Sequence, residues 1–157
     1  MNKALLVIDV TNFYLSQHQV NGHYTRDVSV FIKNIIDRAW KATNEIVLFF
    51  SDLYSSAYPD AFSELIKIHA PIRYKDEFSA FDYIPAEESE LHQFLQEQNV
   101  EELEICGLYA HWCVAATVDD ALELGYQVRL NPGLILDEDG KINSDLSSLT
   151  KEHVLLL

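Results

Sequence analysis

A chain of 157 residues with 48% hydrophobic and 23% charged residues fits one compact domain over residues 1–157, and its composition excludes a disordered or low-complexity protein. The net charge of −14 lies in the second half: residues 1–75 hold 8 Lys/Arg and 7 Asp/Glu, residues 76–157 hold 3 and 18. Such a surface repels nucleic-acid phosphates and anionic lipid, so neither nucleic acid nor membrane is expected as a partner.

Residues 4–8 (Ala-Leu-Leu-Val-Ile) read as a buried strand ending at Asp9. This early apolar run is too short for a secretory signal, and no run is long enough to span a bilayer. A cytoplasmic protein with free thiols at Cys106 and Cys113 is expected. Residues 27–42 read as a helix capped by Asp27, with Val28, Phe31, Ile32, Ile35, Ile36, Ala39 and Trp40 as its apolar face. Residues 45–50 form a second buried strand, followed by Ser51-Asp52, and residues 71–75 a short third one ending at Lys75. A helix is expected over 86–99, then a strand over 103–106 closed by Gly107. A second strong helix covers 113–124 with Gly125 as its stop, and a strand over 126–130 is halted by Asn131-Pro132-Gly133.

Continuous apolar strands alternating with amphipathic helices predict an α/β protein of three layers, α-β-α, around a mostly parallel sheet. Such sheets place their sites beyond the carboxyl ends of the strands. Asp9, Asp52, Lys75 and the 107–113 stretch all follow strands, so one edge should gather them.

Cys113 sits near the start of a helix, where backbone N–H groups and the helix dipole stabilise a thiolate and lower the thiol pKa. A nearby Lys75 would act in the same direction. A pocketed Asp9 could exchange a proton with the thiol. Taken one at a time, each has an ordinary structural reading: a buried cysteine, a lysine reaching for water, a turn-capping aspartate. Cys106 lies inside a strand and reads as core.

Together these stretches resemble the isochorismatase-like cysteine hydrolases. The resemblance rests on Leu5-Leu6-Val7-Ile8-Asp9, on Lys75-Asp76-Glu77-Phe78-Ser79-Ala80-Phe81, and on Gly107 to Val114 followed by Ala116-Thr117, Asp120-Ala121 and Gly125-Tyr126. It runs in order over residues 4–130. It implies the isochorismatase-like fold and a catalytic set of Asp9, Lys75 and Cys113, in which Cys113 attacks an amide or carbamoyl carbon and Asp9 moves the protons. It also implies a non-proline cis peptide at Leu108–Tyr109, with the N–H groups of Tyr109 and Cys113 as the oxyanion hole. Phe13, Tyr14, Tyr54, Phe78 and Trp112 are the expected substrate-binding residues, and a homo-oligomer is a further expectation carried by the family.

Two departures shape the functional expectation. Nicotinamidases of this family hold a metal through an Asp-x-His-x-x-x-His segment. Here Asp52 is kept, but Tyr54 and Tyr58 stand at the His positions, so no metal and no other cofactor is expected. After Leu136 the likeness fades, and the remaining residues look too few for the last strand and helix of the fold. His111 is expected at the surface or pocket rim. The reading that the resemblance implies is a metal-independent cysteine amidohydrolase acting on a small-molecule substrate, an amide or carbamoyl compound. A catalytically inactive binding or regulatory member, or an isochorismate-type ether hydrolase, stands as the alternative.

Overall fold

The computed structural model describes residues 2–53, 55, 57–69 and 72–157, with the backbone alone at 69. Nine strands and five α-helices are seen among them: β1 (Asn2–Ile8), α1 (Asn12–Leu15), β2 (Gln19–Val20), β3 (His23–Tyr24), α2 (Arg26–Lys41), β4 (Ile46–Asp52), α3 (Ser63–His69), β5 (Arg73–Lys75), α4 (Glu90–Glu97), β6 (Val100–Leu108), α5 (Ala115–Glu123), β7 (Gln127–Leu130), β8 (Ile135–Leu136) and β9 (Val154–Leu156).

The main sheet runs β5-β4-β1-β6-β7-β9, with β8 also pairing β6, and every one of these pairings is parallel. β1 is central because its residues 4–8 are wholly buried, as a strand covered on both faces must be. Its side chains alternate. Ala4, Leu6 and Ile8 join Leu91 and Leu95 of α4 and Val118 and Ala121 of α5. Leu5 and Val7 join Phe31, Ile35 and Ala39 of α2 and Leu65 of α3. Period-two alternation thus builds two cores on either side of one sheet, the three-layer arrangement of an isochorismatase-like α/β fold.

The chain fills one side of β1 first (β4, β5) and then crosses to the other (β6, β7, β9). The order reverses at β1/β6, and a crevice opens beyond the carboxyl ends of the strands at such a switch point. Gly107 marks that end of β6. Its φ is +114°, and a Cβ there would lie 2.1 Å from the Ile8 carbonyl oxygen, so only glycine lets β6 pass β1 this closely.

Several expected boundaries move. Helix α2 starts at Arg26 and its cap is Thr25, whose Oγ1 accepts from the Val28 N–H at 3.3 Å; Asp27 instead accepts from the Ile142 N–H. Trp40, expected on the buried face, is exposed, because it lies off the Val28/Phe31/Ile35/Ala39 stripe. The 86–99 helix divides into a 3-10 turn and α4, with Ser89 accepting from the His92 N–H at the start of α4. The expected 113–124 helix is a π-turn over Ala110–Val114 running into α5. The tail is long enough for a last strand after all: β9 adds to β7 through Val128↔Val154 and Leu130↔Leu156. Cys106 is core, with its thiol donating to the Leu6 carbonyl at 3.4 Å. No helix among the described residues is long and apolar enough to cross a membrane.

Candidate active site

Three strand ends bring Asp9, Lys75 and Cys113 together. Asp9 leaves β1 in the left-handed region (φ +53°), its N–H donating to the Phe50 carbonyl at 3.0 Å and its own carbonyl accepting from Thr11 at 2.8 Å. Lys75 closes β5, where it is in register with Asp52 of β4. Cys113 lies in the π-turn that follows β6, and the Tyr109 carbonyl before it accepts from the N–H groups of Trp112 and Val114.

The Lys75 ammonium is 3.0 Å from Asp9 Oδ2 and 3.5 Å from Cys113 Sγ. It also donates to the carbonyls of Glu77 and Phe78, at 3.0 Å each. Its side chain and that of Asp9 are both 2% exposed. A lysine at a strand end usually reaches for water; this one is turned inward and meets oxygen or sulfur on every side. The other Asp9 oxygen, Oδ1, is buried and has no hydrogen-bond partner of ordinary geometry among the described residues. The carboxylate and the Cys113 thiol are near enough for each to influence the other's ionisation. The arrangement therefore leaves acceptor capacity on Asp9 beside the thiol.

The electrostatics depart from the sequence expectation. Burial raises the Asp9 carboxyl above its usual range, and Lys75 opposes that rise. Burial also pushes the Cys113 thiol up, to about 12, with the Asp9 carboxylate adding to the rise and Lys75 opposing it. Burial thus keeps the proton on the resting thiol, where a helix start and a lysine had suggested a lowered thiol pKa. A depressed pKa requires the positive influences to exceed desolvation, and here they do not.

Aromatic side chains flank the three groups. Phe78 and Trp112 are both exposed and meet edge to face, with centroids 5.7 Å apart. Phe13 is exposed and packs edge to face on Tyr14 at 5.2 Å. Tyr14 in turn meets Tyr109 at 6.1 Å, and its hydroxyl donates to the Asp52 carboxylate. The Tyr109 hydroxyl and His18 Nε2 share a 2.7 Å hydrogen bond. The Leu108–Tyr109 peptide bond is cis. Tyr54 lies outside the described residues. Phe81, which ends the Lys75–Phe81 motif, is core, stacked on Tyr126.

Sequence reasoning left three features unread. Thr117 is fully buried and bonded both to Cys113 and to the loop after Lys75. Glu138 accepts from the His111 backbone N–H at 2.7 Å and pairs with its Nδ1 at 3.0 Å, tying the acidic turn to the π-turn. His18 is held between Tyr109 and Gly140. The acidic residue at 138 and the Thr one turn after Cys113 were visible signals, but their partners are distant in sequence.

Tyr58 occupies the second His position of the Asp-x-His-x-x-x-His pattern. The Tyr58 hydroxyl donates to the Phe50 carbonyl, its ring packs on Phe49 and Phe62, and burial pushes its ionisation up, so it is held as a neutral donor. Among the described residues, no group of three or more His, Cys, Asp or Glu side chains is placed to share an ion.

A profile of the isochorismatase domain matches residues 3–132. An uncharacterized isochorismatase family protein of Bacillus subtilis (strain 168), YddQ, is 27% identical over 132 residues, which is 80% of this chain and 73% of that protein. Among solved structures, the nicotinamidase SaPncA from Staphylococcus aureus superposes with a TM-score of 0.67 at 20% identity, covering 86% of this chain and 82% of its own. The pyrazinamidase of Pyrococcus horikoshii, solved in complex with zinc, gives 0.67 at 17% identity over 100% and 99%. At such identities the structural likeness carries the fold alone. With the domain profile spanning most of its length, the chain belongs to the isochorismatase family and is a hydrolase of that family.

Proposed function

We propose that this protein hydrolyses a small, flat amide or carbamoyl compound through a covalent acyl-enzyme on Cys113, without a metal ion. The observation that carries the reading is the Lys75 ammonium lying against both the Asp9 carboxylate and the Cys113 sulfur in a buried setting. Nicotinamidases among its structural neighbours support an amide substrate, and the aromatic side chains Phe13, Tyr14, Phe78 and Trp112 suit a planar one.

The proposed sequence follows from the protonated resting thiol. As Cys113 Sγ bonds to the carbonyl carbon, its proton passes to Asp9, so charge separation occurs only along the reaction coordinate. The oxyanion is received by the N–H groups of Tyr109 and Cys113. On collapse the C–N bond breaks, and the leaving amine takes the proton from Asp9. Water then adds to the thioester while Asp9 accepts a proton from it. The C–S bond breaks, the acid departs, and Asp9 returns a proton to the thiol. Lys75 holds the Asp9 carboxylate and, as charge builds on sulfur, lies close enough to stabilise it.

The test is a panel of small aromatic and aliphatic amides, with ammonia or amine release as the readout. Cys113→Ala is expected to reduce release by at least about 10³-fold with unfolding unchanged. Dialysis against a chelator is expected to leave the rate within about twofold of the untreated protein. Amide release that survives Cys113→Ala would remove the nucleophile from the mechanism, and hydrolysis of a vinyl ether surviving it would move the protein to the ether-hydrolase reading. A rate that collapses on chelation and returns with zinc would overturn the metal-free part. An inert wild-type protein across the panel would leave a binding member of the family.

A further inference from the structure

The Lys75 and Cys113 halves of the site come from strands on opposite sides of β1, and one side chain outside the triad joins them. Thr117 lies one turn after Cys113 in α5 and is fully buried. Its hydroxyl donates to the Cys113 carbonyl at 2.7 Å, a local back-bond common for a helical threonine. The same oxygen also accepts, at 3.0 Å, the N–H of Ala80, which is 37 residues away. Ala80 belongs to the loop whose Glu77 and Phe78 carbonyls receive the Lys75 ammonium. Asp82 closes the other end of that loop, its Oδ1 accepting from the N–H groups of Asp76 and Glu77 at 2.6 and 2.7 Å.

We propose that Thr117 is a positioning residue: its hydroxyl fixes the distance between the Lys75 loop and the Cys113 turn, and so sets how strongly the ammonium acts on the sulfur. The inference rests on the Asp9–Lys75–Cys113 reading above. The physical ground is that both ends of the bridge are backbone groups. The Ala80 N–H holds the loop that cradles Lys75, and the Cys113 carbonyl belongs to the nucleophile itself. A movement of one is therefore transmitted to the other through a single oxygen, in a region where Ala80 and Phe81 are buried and packed. A valine at 117 keeps the shape and removes both bonds, and a serine keeps the hydroxyl.

The experiment is the rate of Cys113 alkylation by iodoacetamide between pH 7 and 11, with the adduct located by mass spectrometry. No substrate is needed. Thr117→Val is expected to lower the rate by about threefold at pH 8.5 and throughout the range below the thiol midpoint, the effect of a thiol pKa higher by about half a unit. Thr117→Ser is expected to restore the wild-type profile, and Thr117→Ala, which leaves space at the lost hydroxyl, to behave like Thr117→Val. A merely structural threonine would change thermal unfolding and leave the profile in place, so superimposed curves for the valine or alanine variant would overturn the proposal. In the unsubstituted protein the Ala80 amide is expected to exchange with deuterium at least about 100-fold more slowly than an open peptide. Free exchange there would overturn it even if neither variant folds.

The two readings fail separately. If no amide is hydrolysed but the valine profile shifts, the positioning role stands without the proposed reaction. If Cys113-dependent turnover is found, the valine variant should lower kcat with little change in KM. Turnover and alkylation both matching the unsubstituted protein would leave the reaction and discard the role of Thr117.

Discussion

Asp9→Asn is expected to make Cys113 more reactive toward iodoacetamide while lowering amide turnover. The two effects have opposite sign because Asp9 does two things to the thiol. At rest the negative charge of its carboxylate helps to hold the proton on sulfur, adding to the rise of the thiol to about 12 that burial begins. During reaction the same carboxylate is where that proton goes. An asparagine is a much poorer acceptor for it, so turnover should fall by about 10²–10⁴-fold, the usual worth of a general base. Lys75 stays beside a sulfur no longer opposed by a carboxylate, so the thiol pKa falls. Below the midpoint the alkylation rate follows the thiolate fraction, and a drop of one unit gives about a tenfold faster reaction at pH 8. Stopped alkylation series from pH 6 to 11 on both proteins read this directly. Slower alkylation in the asparagine variant would mean that Asp9 activates the resting thiol, and the order of proton transfer given above would be wrong.

The amino acids in order do not give that sign. They supplied a carboxylate, a lysine and a cysteine at the ends of three strands, and the sheet brings all three together. What they did not supply was depth. A helix start and a cation both argue for a depressed thiol pKa, and only the burial of Cys113 and its neighbours decides that desolvation prevails. The strands β1 and β4 were legible because a parallel strand covered on both faces is written as an unbroken apolar run, whereas β6 was read only over 103–106 because Glu101 and Glu102 interrupt its start. β9 was not, since Val154-Leu155-Leu156 lies at the sheet edge, where Leu155 and Leu156 are exposed, and a short apolar run after many turn residues carries no distinguishing period. The π-turn before α5 left no signal either: widening one turn changes which residue faces the core without changing the helix-forming composition. Thr117 was visible as part of a motif, but its second bond depends on a loop folded from 37 residues away.

Lys75→Met is expected to destabilise the fold by about 3–5 kcal/mol at pH 8, and adding Asp9→Asn to it to recover more than half of that loss. Both side chains are 2% exposed, so removing the ammonium leaves a carboxylate with neither water nor counter-ion. Removing both charges takes away the cause of the penalty, although the amide introduced at position 9 still has to find acceptors and donors. The pH dependence gives a second, independent sign. Burial already raises Asp9 above its ordinary value, and the Lys75 ammonium, 3.0 Å away, is the largest influence opposing that rise. Without Lys75 the folded-state pKa climbs further. Between the unfolded value, about 3.9, and that higher folded value, the folded protein keeps a proton that the unfolded chain releases. Stability therefore falls as pH rises through this window. The difference between Lys75→Met and the unsubstituted protein should be smaller at pH 5 than at pH 8, measured as urea midpoints at each pH. Equal deficits at both pH values would show that the lost lysine acted through packing of its alkyl stem rather than through charge. In that case the ammonium could not be the group that balances Asp9 and, during attack, the sulfur.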